Sequence, residues 1–349
     1  QMMLSKQPGG AETFFEKLAA AFAAAGLPQC LVIEPNPERE ALLRDLEGVT
    51  VVALRFGGAR DPFAKRKLRQ VAAAHLPDAV LTWMNRASRR APRVPCPVIG
   101  RLGGYYKLKR YKRCNHLVGI TPDLVRHIEE GGWDPGKVSM IPNFGETTGG
   151  TSSRSDCAAA VREELGVPPG SLLLVALGRL HEAKAHDILI RAIRPLAKAH
   201  LVIAGEGPLR AELEALIIGL GLQRRVQLLG WRRDPGRLLA AADLSVFPSR
   251  YEPNGTVVLE SWAHRAPLVA AASAGPSWLV DHDENGLLVP VDDVEGLTSA
   301  LVSLEHDPAR RARLVEAGHA KFREQFSREA TVRRYLDLIQ ELNVQKQAA

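Results

Sequence analysis

No run of about 18 apolar residues occurs in this chain, which excludes a membrane-crossing helix of ordinary length. No secretory leader is recognisable either, because the first residues pass straight into a glycine-containing turn. The chain opens on Gln1 rather than a start methionine, so native residues are expected to precede it. Cysteine is scarce: Cys30, Cys96, Cys114 and Cys157 are the only four, far apart and without metal-ligand spacing. That argues against a disulfide scaffold and predicts reduced thiols in a cytosolic protein. His181, His186, His264 and His282 share no metal spacing either. The turn at Gly9 and Gly10 is not the G-x-G-x-x-G dinucleotide fingerprint, since its spacing differs.

What is present is the balance of a globular protein, with 46% hydrophobic and 24% charged residues. A length of 349 residues accommodates two domains, each with its own core. The formal charge is +7, and the basic side chains concentrate at Lys107, Lys109, Arg110, Lys112 and Arg113. This run has two readings: a solvated helical face, or attraction to an anionic inner-membrane surface. No nucleic-acid recognition motif accompanies it, so nucleic acid is not an expected partner.

Short apolar runs alternate with helical patterns throughout. In the first half strands are expected at QMML, LVIEP (31–35), VTVVALRF (49–56), DAVLTW (78–83), CPVIGRL (96–102), HLVGI (116–120) and KVSMIPNF. Thr121 followed by Pro122 reads as a helix cap and first helical position. The polar run 146–156, ETTGGTSSRSD, reads as the domain boundary. In the second half strands are expected at SLLLVALG (171–178), HLVIAGEG, RVQLLG (225–230), DLSVFPS (243–249), PLVAAA and GLLVP, with a helix over 187–198. The tail 294–342 is largely helical, interrupted near Phe326 and Ser327. Strands separated by helices imply βαβ units and parallel sheets. The fold class is therefore α/β: two doubly wound domains facing each other across a cleft, with ligands beyond the carboxyl ends of the strands. The expected division is 1–150 and 151–326.

Three constellations carry chemistry. In RYEPNGTVVLE (250–260), two carboxylates, Glu252 and Glu260, flank a glycine-led helix start. Gly255 lets backbone approach a ligand, amides at a helix start attract anions, and the Thr256 hydroxyl is placed to touch a phosphate. Glu260, one turn into the helix, suits paired hydrogen bonds to a diol such as a ribose. The competing reading is an ordinary loop carboxylate and a solvated helix residue. Arg179 and Lys184 follow the strand ending at Gly178, and two cations there fit a diphosphate clamp or plain surface. Gly10, at the first strand-to-helix turn, fits a phosphate or acceptor contact or a simple turn.

These motifs, in this order, resemble glycosyltransferase family 4, the group 1 glycosyltransferases: PGGAE, IPNF, GRL with Lys184, GEGP, FPSRYEPNGTVVLE, APLVA and ENGLLVP. The resemblance extends over nearly the whole chain. It implies the GT-B fold, two facing Rossmann-like domains, with residues from about 327 onward returning to the N-terminal domain. It implies a retaining transferase in which Arg179 and Lys184 hold the diphosphate and stabilise the leaving nucleotide. Glu252 would lie beside the donor sugar, and Pro253, Asn254, Gly255 and Thr256 would contact sugar hydroxyls and phosphate. Glu260 would bind the ribose, and the base would lie near Gly205, Gly230 and Trp231. Gly10 would approach from the other domain. The scheme needs no metal and no cofactor beyond the nucleotide-sugar donor, UDP-sugar by default, with GDP-sugar as the other candidate.

Departures from the family pattern are local. The stretch VIGRLGGYYKLKR carries no histidine where many members have one, which turns attention to Arg101, Gly103 and Tyr105 on the acceptor or sugar side. The usual glycine after the clamp lysine is Ala185, and Pro253-Asn254 replaces a common aromatic. The expected protein is thus a cytoplasmic enzyme, peripheral on the inner membrane face, building an envelope glycan or glycolipid such as lipopolysaccharide. Transfer to a small soluble acceptor, a glycan phosphorylase and a non-enzymatic sugar-binding protein are the alternatives.

Overall fold

A computed structural model of the chain describes residues 1–5, 9–56, 61–146 and 154–347. The chain divides into two units, Gln1–Asn143 with Arg328–Ala349, and Phe144–Ser327. The polar run at 146–156 thus follows the division by a few residues. Most of it lies outside the described residues, but its end opens an alanine-containing helix, Arg154–Glu164.

Unit 1 is built on a seven-stranded sheet, ordered β3-β2-β1-β4-β5-β6-β7. The strands are β1 (Met2–Met3), β2 (Gln29–Ile33), β3 (Val49–Ala53), β4 (Val80–Trp83), β5 (Val98–Leu102), β6 (His116–Gly119) and β7 (Val138–Met140). Every pairing is parallel. Parallel strands are covered on both faces, so β4, β5 and β6 are buried along their whole length rather than alternating. Helices start where the sequence supplies caps. The Thr121 hydroxyl accepts from Leu124 N at 3.3 Å, with Pro122 first in the helix. Asp61 accepts from Ala64 N at 3.0 Å ahead of the helix Pro62–His75.

The C-terminal helix Arg328–Gln347 belongs to this unit. Tyr335 and Leu338 are buried, and Tyr335 meets Phe22 edge-on at 5.8 Å. Leu336, one step around the helix from Tyr335, is exposed.

Unit 2 holds a six-stranded, all-parallel sheet, ordered β10-β9-β8-β11-β12-β13. Its strands are β8 (Leu172–Leu177), β9 (Ala199–Ala204), β10 (Val226–Gly230), β11 (Leu244–Phe247), β12 (Leu268–Ala271) and β13 (Leu287–Val289). In both sheets the order reverses once, between β1 and β4 and between β8 and β11, and such a reversal opens a crevice at the carboxyl edge.

Two helical expectations are refined, and one helix lies outside them. The helix foreseen over 187–198 is His186–Ala192, because Pro195 cannot continue it and restricts the residue before it. The helical tail is interrupted at Ser327 as expected, after a π-helical turn, Phe322–Phe326, and also breaks at His306 and Asp307, between Val294–Glu305 and Pro308–Lys321. The helix Ala274–Leu279 was not anticipated, as a glycine and a proline occupy its first turn. The four cysteines are free thiols. Burial pushes the Cys114 thiol up to about 11, which keeps it protonated and unreactive.

Candidate functional site

The carboxyl ends of β8, β9 and β10 are lined by three glycines whose backbones touch. Gly205 N donates to Gly230 O at 2.8 Å. A methyl group on Gly205 would sit 1.9 Å from Gly178 O, so only glycine fits. Gly207 is confined in the same way by Leu180 O, at 2.2 Å. The backbone edge expected beside a base is therefore continuous from Gly178 through Gly205 to Gly230. Trp231, next in the chain, is 78% exposed.

The loop after β8 carries both expected clamp cations. Arg179 is exposed and, among the described residues, its guanidinium makes no hydrogen bond or ion pair. Lys184 ends a short 3-10 turn, Glu182–Lys184. Its ammonium lies 2.6 Å from Glu252 Oε2 and 5.2 Å from the centre of the Phe247 ring. The next residue, Ala185, has φ of 51°. This left-handed conformation explains why a glycine suits the position, and alanine there costs about 1 kcal/mol.

The loop after β11 supplies the carboxylate side. Glu252 Oε1 accepts from Asn254 N at 3.2 Å and Gly255 N at 3.1 Å, while Oε2 accepts from Lys184. Gly255 has φ of 66° and precedes the helix Thr256–Ala263, whose start has no side-chain cap. The helix therefore presents its first amides and their partial positive charge at the strand end. Pro253 and Asn254 are half-buried in this loop, as are Thr256 and Glu260, one turn apart on the helix. The structure thus brings Lys184, Glu252 and the Gly255 helix start into one cluster.

Residues the sequence reading missed hold the two loops together. Arg250 makes a two-pronged ion pair with Asp187, at 2.9 and 3.1 Å, a second pair with Asp292 and a hydrogen bond to Glu182 O. Tyr251 N donates to Ala183 O at 3.2 Å. Gly275 donates from its amide to Glu252 O at 2.6 Å, and a methyl group there would lie 2.5 Å from Gly255 N. No pattern around Gly275 marked it in advance, since its partner is distant in sequence. His186, two residues after Lys184, is buried, with Nε2 placed 3.4 Å from Gly178 O and, among the described residues, Nδ1 without a partner. Burial lowers its pKa to about 4, so the ring is neutral at ordinary pH. The hydroxyls of Ser249 and Ser273, at the ends of β11 and β12, are also buried without partners.

The chain contains an Asp-x-Asp string, Asp281-His282-Asp283. Asp281 pairs with Lys321 at 2.6 Å, and Asp283 with Arg310 at 2.8 Å. Among the described residues no group of three His, Cys, Asp or Glu side chains is placed to hold a metal ion. No described helix is long and apolar enough to cross a membrane.

In unit 1, Gly10 begins the helix Gly10–Ala24 and faces open space, with nothing within 4 Å of where its Cβ would be. Arg101, on β5, is buried. Its guanidinium lies over the rings of Phe14 and Trp83, at 4.6 and 4.4 Å, donates to Tyr335 Oη at 3.1 Å and bonds Asn143. Burial lowers its pKa, but the rings and hydrogen bonds hold it as a brace between β5 and the C-terminal helix. Gly103 follows it, and Tyr105 is exposed, bonding Asp123 and meeting His127 edge-on at 5.3 Å. The basic run 107–113 is not a helical face. It is a loop with one 3-10 turn, Leu108–Arg110, in which Lys107, Lys109, Lys112 and Arg113 are exposed while Tyr111 is buried.

The chain is similar to known glycosyltransferases along nearly its whole length. The family model "Glycosyl transferases group 1" matches residues 171–307. The chain is 34% identical over 338 residues to the lipopolysaccharide core biosynthesis glycosyltransferase LpsE of Rhizobium meliloti, covering 95% of this chain and 96% of the relative. It is 35% identical to LpsD of the same organism, covering 95% and 94%. Among solved structures, HepE of Anabaena in complex with UDP superposes with a TM-score of 0.81 at 21% identity, covering 98% of this chain and 99% of HepE.

Proposed function

The chain belongs to the group 1 glycosyltransferases, and from that premise we propose that it is a retaining enzyme that moves a sugar from UDP-sugar to a lipopolysaccharide-core or related glycolipid acceptor. The observation that carries the reading is the cluster of Lys184, Glu252 and the uncapped helix start at Gly255. A cation and free helix amides suit a diphosphate, and a carboxylate beside them suits sugar hydroxyls.

In this reading Arg179 and Lys184 neutralise the charge that grows on the departing diphosphate, a task that otherwise falls to a metal ion. The acceptor oxygen attacks the anomeric carbon on the face that the diphosphate leaves. The bond from that carbon to the phosphate oxygen breaks, and the acceptor proton passes to a donor phosphate oxygen. Glu260 holds the ribose hydroxyls. The glycine edge at Gly205 and Gly230, with Trp231, takes the base. The UDP bound to HepE supports uridine, and the names of LpsE and LpsD support the acceptor class. The exposed basic loop at 107–113 supports docking on the anionic cytosolic leaflet, where such acceptors reside.

A donor screen tests the reading. UDP and UDP-sugars should raise the melting temperature more than GDP or ADP and their sugars. Incubation with a lipopolysaccharide-core acceptor should release UDP, with or without EDTA, and form an α-linkage from an α-linked donor. A product of inverted configuration, or turnover that stops on chelation, would overturn the mechanism.

A further inference from the structure

We propose that unit 1 carries a pocket for a phosphate monoester, walled by Lys65, Arg89, Arg90 and Arg113. The pocket has a volume of about 260 Å³ and lies between the helices Pro62–His75 and Met84–Arg90. Phe56, Ala64 and Leu68, all buried, form its apolar lining. Among the described residues, four cationic side chains line it with one carboxylate, Asp61, which accepts from Ala64 N.

The neighbouring cation shows the contrast. Arg86 is committed to buried Glu34, at 2.5 Å, and to the carbonyls of Leu4 and Phe56. Among the described residues Lys65, Arg89 and Arg113 have no carboxylate partner. Arg113 is aimed by a backbone acceptor instead, donating to Ala91 O at 2.9 Å. The Arg90 guanidinium lies 5.2 Å from the centre of the Phe56 ring. Burial and the charge of Arg86 lower its pKa, a cost that an anion in the pocket would relieve.

Like charges gathered around a concavity repel one another, and a bound dianion removes that repulsion. Guanidinium forks match phosphate oxygens in pairs, and a lysine adds a point charge. The apolar lining suits the carbon skeleton next to the phosphoryl group. The small volume fits one phosphoryl group with part of its carrier, rather than a nucleic-acid strand. That carrier is a phosphorylated sugar or a lipid headgroup, and both present the same chemistry. The pocket lies within unit 1 and shares no residue with the cluster of Lys184, Glu252 and Gly255 in unit 2.

The test measures binding of glucose 6-phosphate against glucose by titration calorimetry, at fixed ionic strength. It also measures sedimentation with phosphatidic acid vesicles against phosphatidylcholine vesicles. The variant is Lys65→Ala/Arg89→Ala, with Lys65→Gln/Arg89→Gln as a second form. All four substitutions fall on exposed side chains, so the melting curve should remain that of the native protein. Arg66→Ala/Lys67→Ala, exposed on the same helix but outside the pocket lining, is the control for diffuse surface charge. Wild type should bind at least one phosphate-bearing probe, and both pocket variants should lose about tenfold in affinity while the control retains it. Binding of the sugar phosphate assigns a soluble carrier; binding of the vesicles alone assigns a lipid one. If neither probe binds, or if the control loses as much as the pocket variants, the proposal fails.

Discussion

The ammonium of Lys184 lies 2.6 Å from one carboxylate oxygen of Glu252, while the other oxygen receives the amides of Asn254 and Gly255. One carboxylate therefore restrains Lys184 and shapes the loop entering the helix Thr256–Ala263. The two side chains come from loops after β8 and β11, and Arg250 and Tyr251 tie those loops together around them. A diphosphate arriving at this edge must share Lys184 with Glu252.

That sharing separates the effects of the two residues. Lys184→Ala should reduce both UDP affinity and turnover, affinity by about tenfold, since a charge-assisted contact is lost. Glu252→Gln keeps an oxygen to receive the two amides but releases Lys184. UDP should then bind at least as tightly as to wild type, while turnover with the sugar nucleotide falls about a hundredfold. Calorimetry with UDP and a UDP-release assay measure the two quantities. Weaker UDP binding in Glu252→Gln would contradict the shared-lysine geometry.

Gly275→Ala should impair the site as strongly as a change in the motif itself. Its methyl group would lie 2.5 Å from Gly255 N and 2.8 Å from Glu252 O, both backbone atoms that cannot swing aside. The expected cost is about 1–3 kcal/mol of stability, the usual range for overpacking, together with a turnover loss like that of Glu252→Gln. Gly10→Ala is the contrast, since its methyl group meets open space, and it should melt within a degree or two of wild type. Melting curves and rates for the pair decide the matter; a Gly275→Ala protein with normal activity would separate that glycine from the site.

The sheets were legible because parallel strands are apolar along their length, as LLLVAL in β8 and LVAA in β12 are. The cluster in unit 2 was legible because its parts, Lys184, Glu252 and Gly255, stand next to turns and helix starts in the sequence. What holds them was not. Gly275 and Asp187 act through partners 23 and 63 positions away, and nothing local distinguishes either. Arg101 shows the converse. The missing family histidine turned attention to it on the acceptor or sugar side, but two rings and a tyrosine hydroxyl hold it in the core of unit 1. The basic run at 107–113 read equally as a helical face, and the buried Tyr111 in its middle shows that the chain turns there instead.

Because that run is a loop, its exposed cations project from a short turn and can meet a flat anionic surface together. Each basic side chain near such a surface contributes about 1 kcal/mol. Substituting Lys107, Lys109 and Lys112 by Gln should therefore weaken binding to phosphatidylglycerol vesicles by about a hundredfold at low salt. Turnover on a water-soluble acceptor fragment should be unchanged. Sedimentation of wild type equal to that of the triple variant would remove the loop from any membrane role.

The buried imidazole of His186 makes stability depend on pH in a defined window. Its folded pKa is about 4, set by burial, whereas an unfolded histidine titrates near 6.5. Between those values the unfolded chain binds a proton that the folded protein refuses, so stability falls as pH drops through the window. The contribution is fully present above about pH 6.5, is lost progressively towards pH 4, and changes no further below it. The whole excursion is on the order of 3 kcal/mol. His186→Gln removes the titration and keeps an amide donor that can reach Gly178 O. Carboxylates also titrate in this range, but they do so in both proteins and cancel in the difference. Urea unfolding of each protein at pH 7, 5.5 and 4 should therefore show the wild type losing more stability than the variant, by that amount, over the whole interval. A difference between the two that stays constant with pH would mean that His186 accepts its proton in the folded state, and that the loop bearing Lys184 does not seal it from water.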